Sequence, residues 1–163
     1  MKTKAMVAML GGFALVLFLA TSAHAQLPKR GEYTSVFGWA FAGKVMEIEK
    51  DHLWIYGDYS GTVFNDAGRG FLHQTAWVCS GSGHNVKGVY KGAGDCVATD
   101  ADGEKALLVW KCEGGPRCDG DFQWTGGTGK YKGLRGNNTF NSGSVGTTNQ
   151  GYALLRGEWE LPE

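Results

Sequence analysis

From about residue 30 onward the chain alternates. Short runs in which apolar and polar side chains exchange at every step are separated by Gly, Asn and Asp, and past residue 25 no stretch keeps the three-to-four spacing of a helix. The runs fall near 36–49, 52–64, 71–80, 86–99, 105–112, 119–125, 137–141 and 152–161, which predicts eight strands. Their even spacing suits an all-β fold, an eight-stranded antiparallel barrel that leaves no exposed sheet edge. A two-sheet β-sandwich is the alternative with a similar pattern.

Successive side chains point to opposite faces of a strand, so flanking charges orient each run. Lys105 and Lys111 turn Leu107 and Val109 outward, leaving Ala106, Leu108, Trp110 and Cys112 inside. Asp121, Gln123 and Thr125 assign Phe122 and Trp124 to the interior. Arg156, Glu158 and Glu160 do the same for Leu155, Trp159 and Leu161, and Lys87 and Lys91 for Val86 and Tyr90.

Four cysteines add a constraint. Cys112 and Cys118 flank a short Gly- and Pro-containing connection that sets them opposite each other on neighbouring strands, which leaves Cys79 for Cys96. Zinc is disfavoured, because the cysteines form no C-x-x-C pair and have no paired histidines nearby. If Cys79 and Cys96 bond, they share a face, and Cys96 has the parity of Tyr90. Counting back from Cys79 then places Trp77, Thr75, His73 and Phe71 inside, unless a bulge at 92–94 reverses the register. The expected interior is aromatic and reads first as a packed core, with the alternative a ligand pocket lined by His73, Trp77, Tyr90, Trp110, Trp124 and Trp159.

The first residues set the compartment. Lys2 and Lys4 precede an apolar run over about 5–20, and Ala23 and Ala25 supply small residues for signal peptidase, so residues 1–25 are expected to be a cleaved signal. The run is shorter than the roughly 20 residues that span a bilayer, and no later segment is apolar enough to cross. The expected product is one exported domain over residues 26–163, periplasmic or extracellular, where disulfides persist. The whole chain has 16 basic and 16 acidic residues, so losing Lys2 and Lys4 leaves a small acidic excess. The scattered lysines and arginines make no nucleic-acid surface.

Several local patterns resolve into turns. Asp100, Asp102 and Glu104 with Gly103 lack most of a calcium-loop ligand set and read as a hairpin turn. The run from Gly126 to Lys130 has Tyr131 where a phosphate loop needs Ser or Thr. Asn137-Asn-Thr139 reads as polar strand, and Gly157-Glu-Trp159 lies at the wrong end of the chain for a lipocalin signature.

The stretch 122–136, FQWTGGTGKYKGLRG, resembles the aromatic-x-Gly-Gly-Thr-Gly-Lys-aromatic corner of the allene oxide cyclase and dirigent barrel superfamily and its uncharacterised bacterial secreted members. The resemblance implies an eight-stranded antiparallel barrel with a central cavity. The motif belongs to the scaffold and carries no catalytic residue. Three functions compete on this basis. The first is binding of a small apolar or aromatic molecule inside, with no cofactor called for. The second, from the resemblance, is a barrel that guides a small-molecule reaction, with His73 or Tyr90 moving a proton. The third is an interaction scaffold using Trp54, Tyr56 or the loops.

Overall fold

The computed structural model describes residues 27–163; the expected signal segment and its cleavage site lie outside the described residues. Eight antiparallel strands close into a barrel in which each strand pairs with its neighbours in sequence and β1 pairs with β8. They are β1 (Arg30–Glu49), β2 (His52–Asn65), β3 (Thr75–Val86), β4 (Val89–Thr99), β5 (Lys105–Gly114), β6 (Arg117–Gly127), β7 (Gly136–Ser144) and β8 (Gln150–Glu160). The barrel is the first of the two architectures that the alternation allows. No helix among the described residues is long and apolar enough to cross a membrane.

Alternation sets the core as expected where a strand is continuous. Ala106, Leu108, Phe122, Trp124, Leu155, Trp159 and Leu161 are buried, while Leu107 and Val109 face out. Both expected disulfides are present, Cys79–Cys96 and Cys112–Cys118, and no free cysteine remains among the described residues. Cys79 and Cys96 sit directly opposite each other, and the β3–β4 register runs without interruption through Gly92 and Gly94.

Two strand boundaries differ from expectation, each because of a turn. Lys87 and Gly88 both have positive φ (51° and 84°) and make a two-residue hairpin, with Asn85 Oδ1 accepting the Gly88 N–H. Val86 therefore ends β3 rather than opening β4, and it is exposed instead of buried. At the start of β3, Leu72 and Gln74 take positive φ (52° and 57°), so residues 71–74 are turn, and parity cannot be counted back past Thr75.

The two ends of the barrel are unlike. The end holding the chain entry at Arg30 is filled. Phe71 comes in from the β2–β3 turn, stacks on Trp159 at 4.4 Å, and meets Tyr33, Trp124 and Tyr131 edge-on. Tyr131 rides a single 3-10 turn (Gly129–Tyr131) inside the glycine-rich corner, and Leu134 follows it into the core. Gly129 has φ 51°, and a Cβ on Gly127 would press on Tyr131, so both glycines are fixed by geometry. Lys130 leaves the same turn outward, into Asp100, Asp102 and Glu104 of the β4–β5 hairpin.

The other end stays open. β1 and β2 run past the last β1–β8 pair, Ala40 with Gln150, so with β3 and β4 they form a tongue above the mouth. Across its inner face Gly43, Gly57, Gly81 and Gly94 pair in one row over four strands, and Trp110 continues the row on β5. The ring of Phe41 rests on Gly43 and Gly57, that of Trp110 rests on Gly81, and Gly94 lies against the Ser80–Gly81 backbone.

Candidate functional site

Beneath the tongue lies a cavity of about 350 Å³. Its wall is chiefly aromatic. Phe37, Trp39 and Phe41 come from alternate positions of β1, Tyr59 from β2, Trp77 from β3, Tyr90 from β4, Trp110 from β5, Phe122 from β6 and Phe140 from β7. Both disulfides also line it, which ties β3 to β4 and β5 to β6 where they face the cavity.

Hydrogen bonds to the frame hold several of these rings. Trp77 Nε1 donates to Thr75 Oγ1 at 2.8 Å, and that hydroxyl donates to the Leu72 carbonyl at 2.8 Å, so the β2–β3 turn aims the indole. Trp39 Nε1 donates to Ser142 Oγ at 3.2 Å, which in turn donates to the Tyr152 carbonyl. At the rim, the Asn149 carbonyl accepts the Phe41 N–H and its side-chain amide donates to the Phe41 carbonyl, pinning the strand where the tongue departs. Trp110 Nε1 is different: it is buried in the wall with no hydrogen-bond partner.

The phenols of the cavity are weak acids. Burial, reinforced by the Tyr90 hydroxyl, pushes the Tyr59 phenol far above its usual value. Tyr90 is raised by burial too, partly offset by its hydrogen bond to Tyr59. Both stay protonated near neutral pH and can donate or accept hydrogen bonds. The indoles, phenols and hydroxyls among the described lining residues can bind, orient and shield a molecule.

The expected site residues divide into three sets. Trp77, Tyr90 and Trp110 are together in the cavity. Trp124 and Trp159 are buried in the filled end: Trp124 packs on Trp77 at 5.8 Å and on Phe71, and Trp159 stacks on Phe71 with Nε1 donating to the Pro28 carbonyl. His73 corrects the parity argument. It sits in the β2–β3 turn outside the cavity, accepts the Asn65 backbone N–H at Nδ1, and packs on the outward ring of Phe64. It has no route to a proton on a bound molecule.

Sequence reasoning missed Phe37, Trp39, Phe41, Tyr59 and Phe140. In β1 the flanking charges conflict, since Lys44 and Glu47 have opposite parity. The tongue explains the conflict, because above the mouth both faces of the strand meet water. Asp58, exposed on β2, was a usable signal for Tyr59.

No family model and no curated protein matches the chain. Among solved structures, that of a pterocarpan synthase dirigent protein is similar, with a TM-score of 0.53 over 98% of each chain at 13% identity. The fold is thus a dirigent-like barrel; at that identity the likeness is one of architecture.

Proposed function

We propose that the barrel binds a small, largely aromatic molecule carrying a hydrogen-bond acceptor, and holds it out of water in the open-end cavity. The observation that carries this reading is the cavity of about 350 Å³ walled chiefly by aromatic rings, with the unpaired Trp110 Nε1 buried in that wall. A buried donor without a partner costs roughly 1–3 kcal/mol, and a ligand oxygen that reaches it through a small turn of the ring or its neighbours recovers it. The cavity volume lies at the lower end of the range for small-molecule sites, which are mostly apolar with a few fixed polar groups. Tyr59 and Tyr90 supply further hydroxyls. Export of the protein, from the signal-like residues 1–25, belongs to the same proposal.

A second reading rests on the dirigent-like fold: the same cavity would guide the outcome of a small-molecule reaction by orientation alone. It needs no base, which agrees with the protonated phenols.

Titration with an apolar fluorescent probe that bears a carbonyl tests the first reading. Tryptophan emission should be quenched and the melting temperature should rise. Trp110→Phe keeps most of the volume and loses only the donor, so it should weaken the probe about 2- to 10-fold and leave a carbonyl-free analogue unaffected. Absence of any probe-dependent quenching sinks the binding reading. Native mass spectrometry of protein from its own host gives the retained molecule directly. For the second reading, incubation with a reactive precursor should change product ratios without changing the rate of precursor loss.

A further inference from the structure

The outer face of the tongue carries a second cluster, unconnected with the cavity. His52 opens β2 opposite Val86, and Trp54 lies opposite His84, so the two histidines are diagonal neighbours on adjacent strands. Their rings face each other nitrogen to nitrogen, with His52 Nε2 and His84 Nδ1 2.9 Å apart. On the far side of the His52 ring the Glu49 carboxylate stands 3.6 Å from Nδ1. His84 is exposed and the His52 side chain is 24% exposed, so ions reach both.

We propose that His52 and His84 form a two-imidazole site for a borderline divalent metal ion, copper(II) foremost. Three features support it. The first is spacing: an ion about 2.0–2.1 Å from each nitrogen would close an angle of about 90°, the cis angle of tetragonal copper or nickel. Zinc at a tetrahedral angle needs the nitrogens a few tenths of an ångström further apart. The second is Glu49, whose carboxylate stands 3.6 Å from the distal Nδ1 of His52, where a small side-chain shift lets it accept that N–H and leave the inner nitrogen its lone pair. The third is rigidity, because β2 lies between β1 and β3 and the Lys87 N–H donates to the Asp51 carbonyl, tying the β3–β4 turn to the β1–β2 turn beside His52. Lys91 lies across from His84 on β4, and its ammonium is paired with Glu113 at 3.1 Å. Water completes the coordination, as the protein offers two ligands here.

The test is copper(II) titration of the purified protein, followed by tryptophan emission and by electron paramagnetic resonance. Trp54 pairs with His84, so bound copper should quench it, and Trp54→Phe should remove most of the quench while leaving affinity unchanged. The resonance spectrum should show two equatorial imidazole nitrogens. His52→Gln and His84→Gln should each weaken binding at least 10-fold with an unaltered metal-free melting temperature. Glu49→Gln should weaken it several-fold. His73→Gln, in the β2–β3 turn at the other end of the barrel, should have no effect on copper. Equal copper affinity in wild type, His52→Gln and His84→Gln, or a spectrum with fewer than two imidazole nitrogens, overturns the proposal and leaves the pair as a simple imidazole hydrogen bond.

Discussion

Replacing Lys130 by methionine should destabilise the barrel electrostatically while leaving its packing almost untouched. The Lys130 ammonium lies 2.6 Å from Asp100 Oδ2, 2.7 Å from Asp102 Oδ2 and 3.6 Å from Glu104 Oε2. Without it, three carboxylates whose oxygens lie within 4.8 Å of one another lose the ammonium they share. Exposed ion pairs are worth about 0.2–1 kcal/mol each. The Lys130 side chain is 36% exposed, so solvent screening stays in force, and the close pairs with Asp100 and Asp102 come to about 1–2 kcal/mol at low salt. For a chain of this size that is a fall of roughly 3–6 °C in melting temperature. Methionine keeps a stem to cover Tyr131, over which the ammonium sits 5.5 Å from the ring centre.

The pH dependence has a definite sign. Burial works against ionisation of Asp100, but Lys130 and the backbone N–H groups of Glu104 and Asp102 outweigh it, so its carboxyl titrates below its usual range. A depressed carboxyl contributes stability above its unfolded value and loses it as pH falls through the folded one. Lys130 is shifted upward, since the Asp100 and Asp102 hydrogen bonds outweigh its desolvation, so it stays charged at every pH below the alkaline range and the acid limit is set by its carboxylate partners. The gap between wild type and Lys130→Met should therefore be widest near neutral pH and close as acid protonates the carboxylates. Salt at about 1 M, with a screening length near 3 Å, should narrow it as well. Thermal melts across pH and salt give the measurement. Coincident melts at neutral pH and low salt, or a loss that ignores salt, would refute the reasoning.

Other expectations concern covalent and steric features. Removing Cys79–Cys96 should cost about 3 kcal/mol and Cys112–Cys118 about 2, because their sequence separations of 17 and 6 close loops of different length; denaturant midpoints of Ser variants check the order. Gly127→Val should abolish soluble expression or lower the melting temperature sharply, since its Cβ would press on Tyr131 and the Lys105 carbonyl. His73→Phe should leave probe binding in the cavity unchanged and cost about 1 kcal/mol from the lost acceptor for the Asn65 N–H, read by urea unfolding.

Parity read the interior correctly wherever one uninterrupted strand carried charges on its outer face. β5, between Lys105 and Lys111, and β6 as far as Trp124, with Asp121 outward, are such stretches, ahead of the bulge where β6 carries an extra residue opposite Leu107 and Leu108, and they supply Trp110 and Phe122 to the cavity. It failed where a count crossed a turn. Val86 and Tyr90 lie on opposite sides of the Lys87–Gly88 hairpin, and His73 precedes the first residue of β3. A positive φ at Lys87, Leu72 or Gln74 leaves little trace in composition, so the switch in face was invisible. The division into a filled and an open end was equally hidden, because Trp77, Trp124 and Trp159 all face inward and only their height along the barrel separates cavity wall from plug.

The row of Gly43, Gly57, Gly81 and Gly94 has a consequence for how such chains drift. At each of the four a Cβ would run into the backbone of a paired strand or into a resting ring, so no single replacement is accommodated by an adjustment next door. Four positions spread over some fifty residues are thereby locked together, while the rings that rest on them remain free to exchange for others of similar shape. Related barrels should therefore share the places where side chains are missing long after the residues that give the cavity its chemistry have diverged. Kinship at low identity is then better sought in aligned vacancies than in aligned aromatics.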